Sequence, residues 1–183
     1  IYVVFGNHDY ARYGLKQIAR FNAGKTVIPD QLNDIERLKG ALGKAGCHIL
    51  QNDSVCVENS FGTLRIVGID DSVSGKADVR KSFEKVRKEE PCIVLTHSID
   101  ALSGLGDFRA DLALAGHTHG GQIRFPVLGL PPMWNHCRLG RKYAAGLAEY
   151  GSTVTYTSRG LGVGNLFFFR FLCRPEATWL EIR

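Results

Sequence analysis

Five cysteines are present, an odd number, and no two of them form a C-x-x-C pair. Cys47, Cys56, Cys92, Cys137 and Cys173 are widely spaced, so neither a disulfide framework nor a thiolate zinc site is indicated. Cys92 opens an apolar run and reads as a small core residue. Long apolar runs are missing too. The longest, Leu166 to Cys173, is short and is interrupted by Arg170, so no stretch is suited to crossing a bilayer. Repeats, low-complexity tracts and internal linkers are lacking. Lys and Arg number 23 against 18 Asp and Glu, a net charge of +5. These cations are scattered and form no nucleic-acid-binding stripe; their excess favours anionic partners, phosphate esters or an anionic membrane surface among them. Gly160-Leu161-Gly162-Val163-Gly164 lacks the strand-turn-helix context of a dinucleotide loop and reads as a loop near a site.

What is there is an ordinary globular composition, 44% hydrophobic and 22% charged. A chain of 183 residues is long enough to bury a core, and residues 1–183 read as one domain. Helix and strand patterns alternate. Asp30 is placed to cap a helix through Ala45, with Ile35, Leu38, Leu42 and Ala45 on one face. Short strands are expected at His48–Leu50 and Ser54–Glu58, a hairpin turn at Asn59–Gly62, and a return strand over Leu64–Ile69. Lys76 to Glu90 predicts a charged helix with Val79, Phe83 and Val86 turned inward, ended by Pro91. Further strands are expected around Gln122–Phe125, Tyr143–Glu149, Thr153–Thr157 and Ala177–Ile182. The pattern is an α/β core closed by a β-rich C-terminal layer.

Three apolar runs share one grammar. Ile1–Phe5 leads into Gly6-Asn7-His8-Asp9. Cys92–Leu95 leads into Thr96-His97-Ser98-Ile99-Asp100. Leu112–Ala115 leads into Gly116-His117-Thr118-His119-Gly120-Gly121. Each reads as a strand ending in a polar loop that carries histidine. Beyond the carboxyl ends of neighbouring strands in an open α/β sheet, such loops converge on one crevice. Neutral imidazole ligates zinc, manganese and iron. Two histidines at i and i+2 inside a glycine frame point to a metal site more strongly than one loop histidine would.

These clusters, in this order, resemble the later motifs of calcineurin-like metallophosphoesterases. Gly140-Arg141-Lys142-Tyr143, Arg159-Gly160-Leu161-Gly162 and Cys173-Arg174-Pro175-Glu176 resemble the bacterial branch of YkuE- and YaeI-type phosphodiesterases. The resemblance implies a four-layer αββα sandwich lacking its first strands. It implies that Asp-x-His and Gly-Asp motifs lie before Ile1, so that residues 1–183 alone would be impaired. It implies hydrolysis of phosphoester bonds, phosphodiesters above all, by a dinuclear site with metal-activated water as nucleophile. The two ions would be divalent or trivalent manganese, iron or zinc. By the same resemblance Asn7, His97 and His117 ligate one metal and His119 the other. His8 is the catalytic acid beside the leaving group, and Asp9 orients it. Phospholipid and nucleotide substrates both stay open, as do attachment to a membrane and export. The competing reading is a non-catalytic metal-binding or scaffold protein with a degenerate site; His8 argues for catalysis, because a purely metal-binding site has no use for it.

Other features carry weaker expectations. Arg159 is a candidate for binding substrate phosphate, since a guanidinium fork matches phosphate oxygens, and a structural salt bridge is its alternative. Asp70-Asp71 is expected to shape the cleft or cap the next turn. Asp100 and Asp107 flank the His97 loop as candidate outer partners. His48 and His136 read as structural or surface histidines. Phe167-Phe168-Phe169-Arg170-Phe171 reads as a partly buried strand crossing or as a ridge for a membrane.

Overall fold

The computed structural model describes residues 1–22, 28–60, 62–125, 137–164 and 169–182. His136, Phe61, Phe167 and Phe168 lie outside the described residues. The N-terminal part holds β1 (Tyr2–Val3), α1 (Asn7–Tyr10), β2 (Ala11–Arg12), α2 (Leu15–Asn22), β3 (Gln31–Leu32), α3 (Ile35–Lys44) and β4 (His48–Ile49). The remainder holds β5 (Asp53–Asn59), β6 (Gly62–Ile69), α4 (Val79–Ser82), β7 (Cys92–Thr96), β8 (Leu112–Ala115), β9 (Gly146–Tyr150) and β10 (Thr153–Thr157). The α/β expectation is met by a mixed fold with few helices and a six-stranded sheet in the order β5-β6-β7-β8-β10-β9.

In that sheet β6, β7, β8 and β10 run parallel, while β5 and β9 pair antiparallel at the two edges. The central strands β7 and β8 are apolar along almost their whole length, as covered parallel strands are, whereas β10 buries threonines and turns Val154 outward. Val67, Ile69, Val94 and Ala113 are fully shielded and pack with Phe83, Ile99 and Leu102. A second cluster joins Phe5, Tyr10 and Ala11 to Ile35, Leu38 and Leu42 of α3. Two small sheets flank it, β1 with β4 in parallel and β2 with β3 antiparallel. The two clusters are tied by the Tyr10 hydroxyl, which donates to the buried Asp70 carboxylate at 2.6 Å.

The structure departs from expectation in several places. Helix α3 is capped by Asp34, which accepts the Arg37 N–H at 3.0 Å, because β3 takes up the residues that follow Asp30. Between Lys76 and Glu90 only α4 is helical; it is followed by tight turns in which Glu84, Val86 and Glu90 donate three residues back. Phe83 is drawn into the core, where it stacks on Phe108, and Glu90 is drawn to Arg65 at 2.9 Å. The inward facing of Val79, Phe83 and Val86 survives this change. Gln122–Phe125 forms no strand, only isolated bridging, Ile123 with Phe171 being one case; Gln122 sits at φ 54 and cannot continue a strand. Ala177–Ile182 forms no strand either, and Tyr143 belongs to a 3-10 turn that precedes β9. Phe169 and Phe171 are exposed rather than crossing the core.

Candidate metal and phosphoester site

The loops after β7, β8 and β10 are laced together at one edge of the sheet. Gly116 donates its N–H to the His97 carbonyl at 2.9 Å, and Ser158 donates to that of Ala115 at 2.8 Å. Asn7 opens the one-turn helix α1, set there by two reciprocal bonds. Asp9 N–H donates to the Gly6 carbonyl at 3.0 Å, and the Asp9 carboxylate accepts the Gly6 N–H at 2.8 Å. The carboxylate thereby fixes the turn that presents both Asn7 and His8. Gly6 is needed because the His97 ring lies against its α-carbon; a Cβ there would stand 2.5 Å from Nδ1.

Three donor atoms meet as a result. Nε2 of His97 lies 3.0 Å from Oδ1 of Asn7 and 3.0 Å from Nδ1 of His117. Ligands of one transition-metal ion stand about 2.0–2.2 Å from it, which puts neighbouring donors about 3 Å from each other. The observed separations and the imidazole-amide donor set fit such an ion. Among the described residues no group of three His, Cys, Asp or Glu side chains is placed to hold a metal ion; the two imidazoles meet the amide of Asn7. Burial lowers the pKa of His97, with Asp71 and Asp9 opposing. Neutral imidazole is the form that binds metal.

His119 follows at the next turn of the same loop. His117 and His119 both sit in the left-handed region, at φ 64 and 50. For residues with a Cβ this costs on the order of 1–2 kcal/mol each, and such strain gathers at functional sites. The buried Thr118 between them donates to the Ala144 carbonyl at 2.6 Å. Burial and the nearby Arg170 cation both lower the pKa of His119, and a hydrogen bond to Gly162 opposes them. The charges of His97 and His8 act in the same direction as Arg170. His8 points to a cleft of about 570 Å³, and its ring meets the Tyr13 ring edge-on at 5.5 Å. Desolvation lowers its pKa, with the charges of Asp9 and Asp71 opposing.

Arg159 packs on Gly120, beside His119, where a Cβ would collide with its side chain. Its guanidinium pairs with Glu176, Nε donating at 2.6 Å. Asp71 caps the next turn, accepting the N–H of Ser74 at 2.6 Å. Asp100 accepts the N–H groups of Arg138 and Leu139, both at 3.0 Å, and so anchors returning chain rather than a histidine. His48 is exposed, in β4, with its ring near that of Tyr2.

Arg170 was missed as a site-building residue. Its guanidinium donates to the carbonyls of His119 at 3.1 Å, Arg159 at 2.8 Å and Gly162 at 2.9 Å. The signal in sequence was a lone cation in an aromatic run, since a charge in such surroundings requires acceptors.

The chain aligns over its whole length with the metallophosphoesterase YkoQ of Bacillus subtilis, at 33% identity and over 60% of that protein. It is 36% identical to the phosphodiesterase YaeI of Escherichia coli, over 77% of this chain and 49% of YaeI. It is 30% identical to the metallophosphoesterase YkuE of Bacillus subtilis, over 98% of this chain and 55% of YkuE. The chain thus spans about half the length of the curated relatives it matches. No protein-family model matches it, and no solved structure matches it significantly. With histidine-bearing loops gathered at one sheet edge and these relatives along its length, the chain belongs to the calcineurin-like metallophosphoesterases.

Proposed function

We propose that this chain carries part of the active site of a metal-dependent phosphodiesterase. The observation behind the reading is the meeting of Asn7 Oδ1, His97 Nε2 and His117 Nδ1 at 3.0 Å separations. In this reading those three side chains hold one metal ion and His119 contributes to a second. Bound together, two such ions polarise the phosphoryl oxygens and activate a water for in-line attack. Manganese, iron and zinc suit the imidazole and amide donors.

The chain's own residues supply the rest. His8, on the wall of the adjoining cleft, donates a proton to the departing oxygen. Asp9 secures the turn on which His8 stands. Arg159, beside His119, is the proposed phosphate contact; to act so it shares its guanidinium with Glu176. A phosphodiester is favoured over other phosphoesters because YaeI is named a phosphodiesterase.

The test uses the full-length gene product. Bound metal is measured by elemental analysis, and turnover with bis(p-nitrophenyl) phosphate and with an alkyl phosphodiester. Metal-dependent hydrolysis of both is expected. His8→Ala should keep its metal and lose about 10²–10⁴-fold in kcat on the alkyl ester. The loss should be smaller on the nitrophenyl ester, whose leaving group needs little protonation. Hydrolysis indifferent to metal, or equal losses on both esters, would overturn the reading.

A further inference from the structure

His8 has two neighbourhoods. One is the histidine cluster, reached through Asn7. The other is the cleft of about 570 Å³, whose wall holds Arg12, Tyr13, Asp30 and Asn33 beside His8 and none of Asn7, His97, His117 or His119. That volume is in the range of small-molecule sites. The cleft is built by β2 and β3, whose two-residue pairing sets Arg12 opposite Gln31. It is fastened to the catalytic turn by Asn33, whose side-chain amide donates to the carbonyl of His8 at 2.9 Å.

Its polar groups are unequally committed. Asp30 receives the side-chain amide of Gln17. Among the described residues the Arg12 guanidinium and the Tyr13 hydroxyl make no hydrogen bond or ion pair. Arg12 is exposed, and Tyr13 is half-buried with its ring against His8. A guanidinium and a phenol on the wall of one cleft match the oxygens of a phosphate or carboxylate.

In-line displacement gives the position a meaning. The leaving oxygen departs on the side of phosphorus opposite the attacking water, and the acid must stand beside it. With His8 as that acid, the rest of the leaving group extends past His8 into the cleft. We infer that the cleft is the leaving-group subsite, and that it selects phosphoesters whose leaving group carries its own oxyanion, held by Arg12 and Tyr13. This rests on the proposed phosphodiesterase reading for its place in the reaction, and on the cleft alone for anion binding.

Inorganic pyrophosphate is titrated by calorimetry into the full-length gene product in EDTA. Arg12→Gln is expected to weaken binding at least tenfold. Arg12→Lys should weaken it less, since it keeps the charge and loses the fork. Asp30→Asn, which retains an acceptor for Gln17 and removes the like charge, should tighten it. Pyrophosphate that fails to bind, or binds Arg12→Gln as well as the parent protein, overturns the inference. In a second arm, kcat/KM is measured on bis(p-nitrophenyl) phosphate and on a diester whose leaving phenol bears a carboxylate. Arg12→Gln should cost the carboxylated substrate at least tenfold more, through KM; equal losses overturn the subsite. A protein that hydrolyses neither diester, yet binds pyrophosphate through Arg12, sinks the phosphodiesterase reading and upholds the anion site.

Discussion

Two polar regions stand side by side at the carboxyl edge of the main sheet, and they are built in opposite ways. In the C-terminal latch, the segments around Arg159, Arg170 and Glu176, these three charges are matched by partners. Glu176 accepts from Arg159 and from the Tyr156 hydroxyl at 2.6 Å, and the Arg170 guanidinium is spread over backbone carbonyls. In the histidine cluster, donors of metal-ligand type face one another, two of them imidazoles, on a loop that adopts left-handed backbone at His117 and His119. The latch satisfies hydrogen bonds and contributes stability. The cluster accepts strain and crowding of like groups, which a fold tolerates where a ligand makes use of them. The two touch at His119 and Gly120, whose carbonyls receive Arg170 and Cys173. The rigid region thereby holds the strained one in place.

The contrast can be broken from either side. The largest effect is expected for His97→Ala, which removes the donor shared by Asn7 and His117. Affinity for manganese or zinc should fall by more than about 100-fold, beyond the loss typical of an outer partner. Titration calorimetry reads it, and the thermal midpoint without metal should barely move. Arg170→Met attacks the latch instead. It leaves the carbonyls of His119, Arg159 and Gly162 short of a donor, and should cost roughly 2–3 kcal/mol in urea unfolding.

A subtler test is pH. Burial alone would raise the pKa of Glu176, but the Tyr156 hydroxyl and Arg159 outweigh it and bring the carboxyl down to about 2. A carboxylate depressed on folding contributes stability above its ordinary value of 4.5, and that contribution fades as pH falls toward 2. Urea midpoints at pH 6 and pH 3 should therefore separate the parent protein from Glu176→Gln at the higher pH and bring them together at the lower. The smallest effect is expected for His48→Ala, an exposed histidine in β4. Stability should stay within about 0.5 kcal/mol, with metal content unchanged; loss of metal there would put the cluster in the wrong place.

The sequence by itself determined the strand ends. Apolar runs before His97 and His117 had to be buried strands, because no amphipathic pattern offered them a wet face, and Gly-rich turns had to follow. That is why β7 and β8 emerged where expected and brought their histidines to one edge. Asn7 reached the same point from outside that sheet: β1 is only Tyr2–Val3, paired with β4, and the turn at Gly6 brings Asn7 to His97. Only the tertiary structure decided what polar groups would pair with. The sequence offered Arg159 both a phosphate and a salt bridge, and the tail brought Glu176 to it from 17 residues away. Asp9 turned to the Gly6 N–H, and Arg170 left its aromatic run to serve several backbone carbonyls, those of His119, Arg159 and Gly162 among them. The expected helix over 76–90 also yielded, because burying Phe83 and pairing Glu90 outweighed local helical preference. Burial is written in the periodicity of apolar residues along the chain. The partner of a charge depends on which distant segment folding brings within about 3 Å of it, and no local pattern records that.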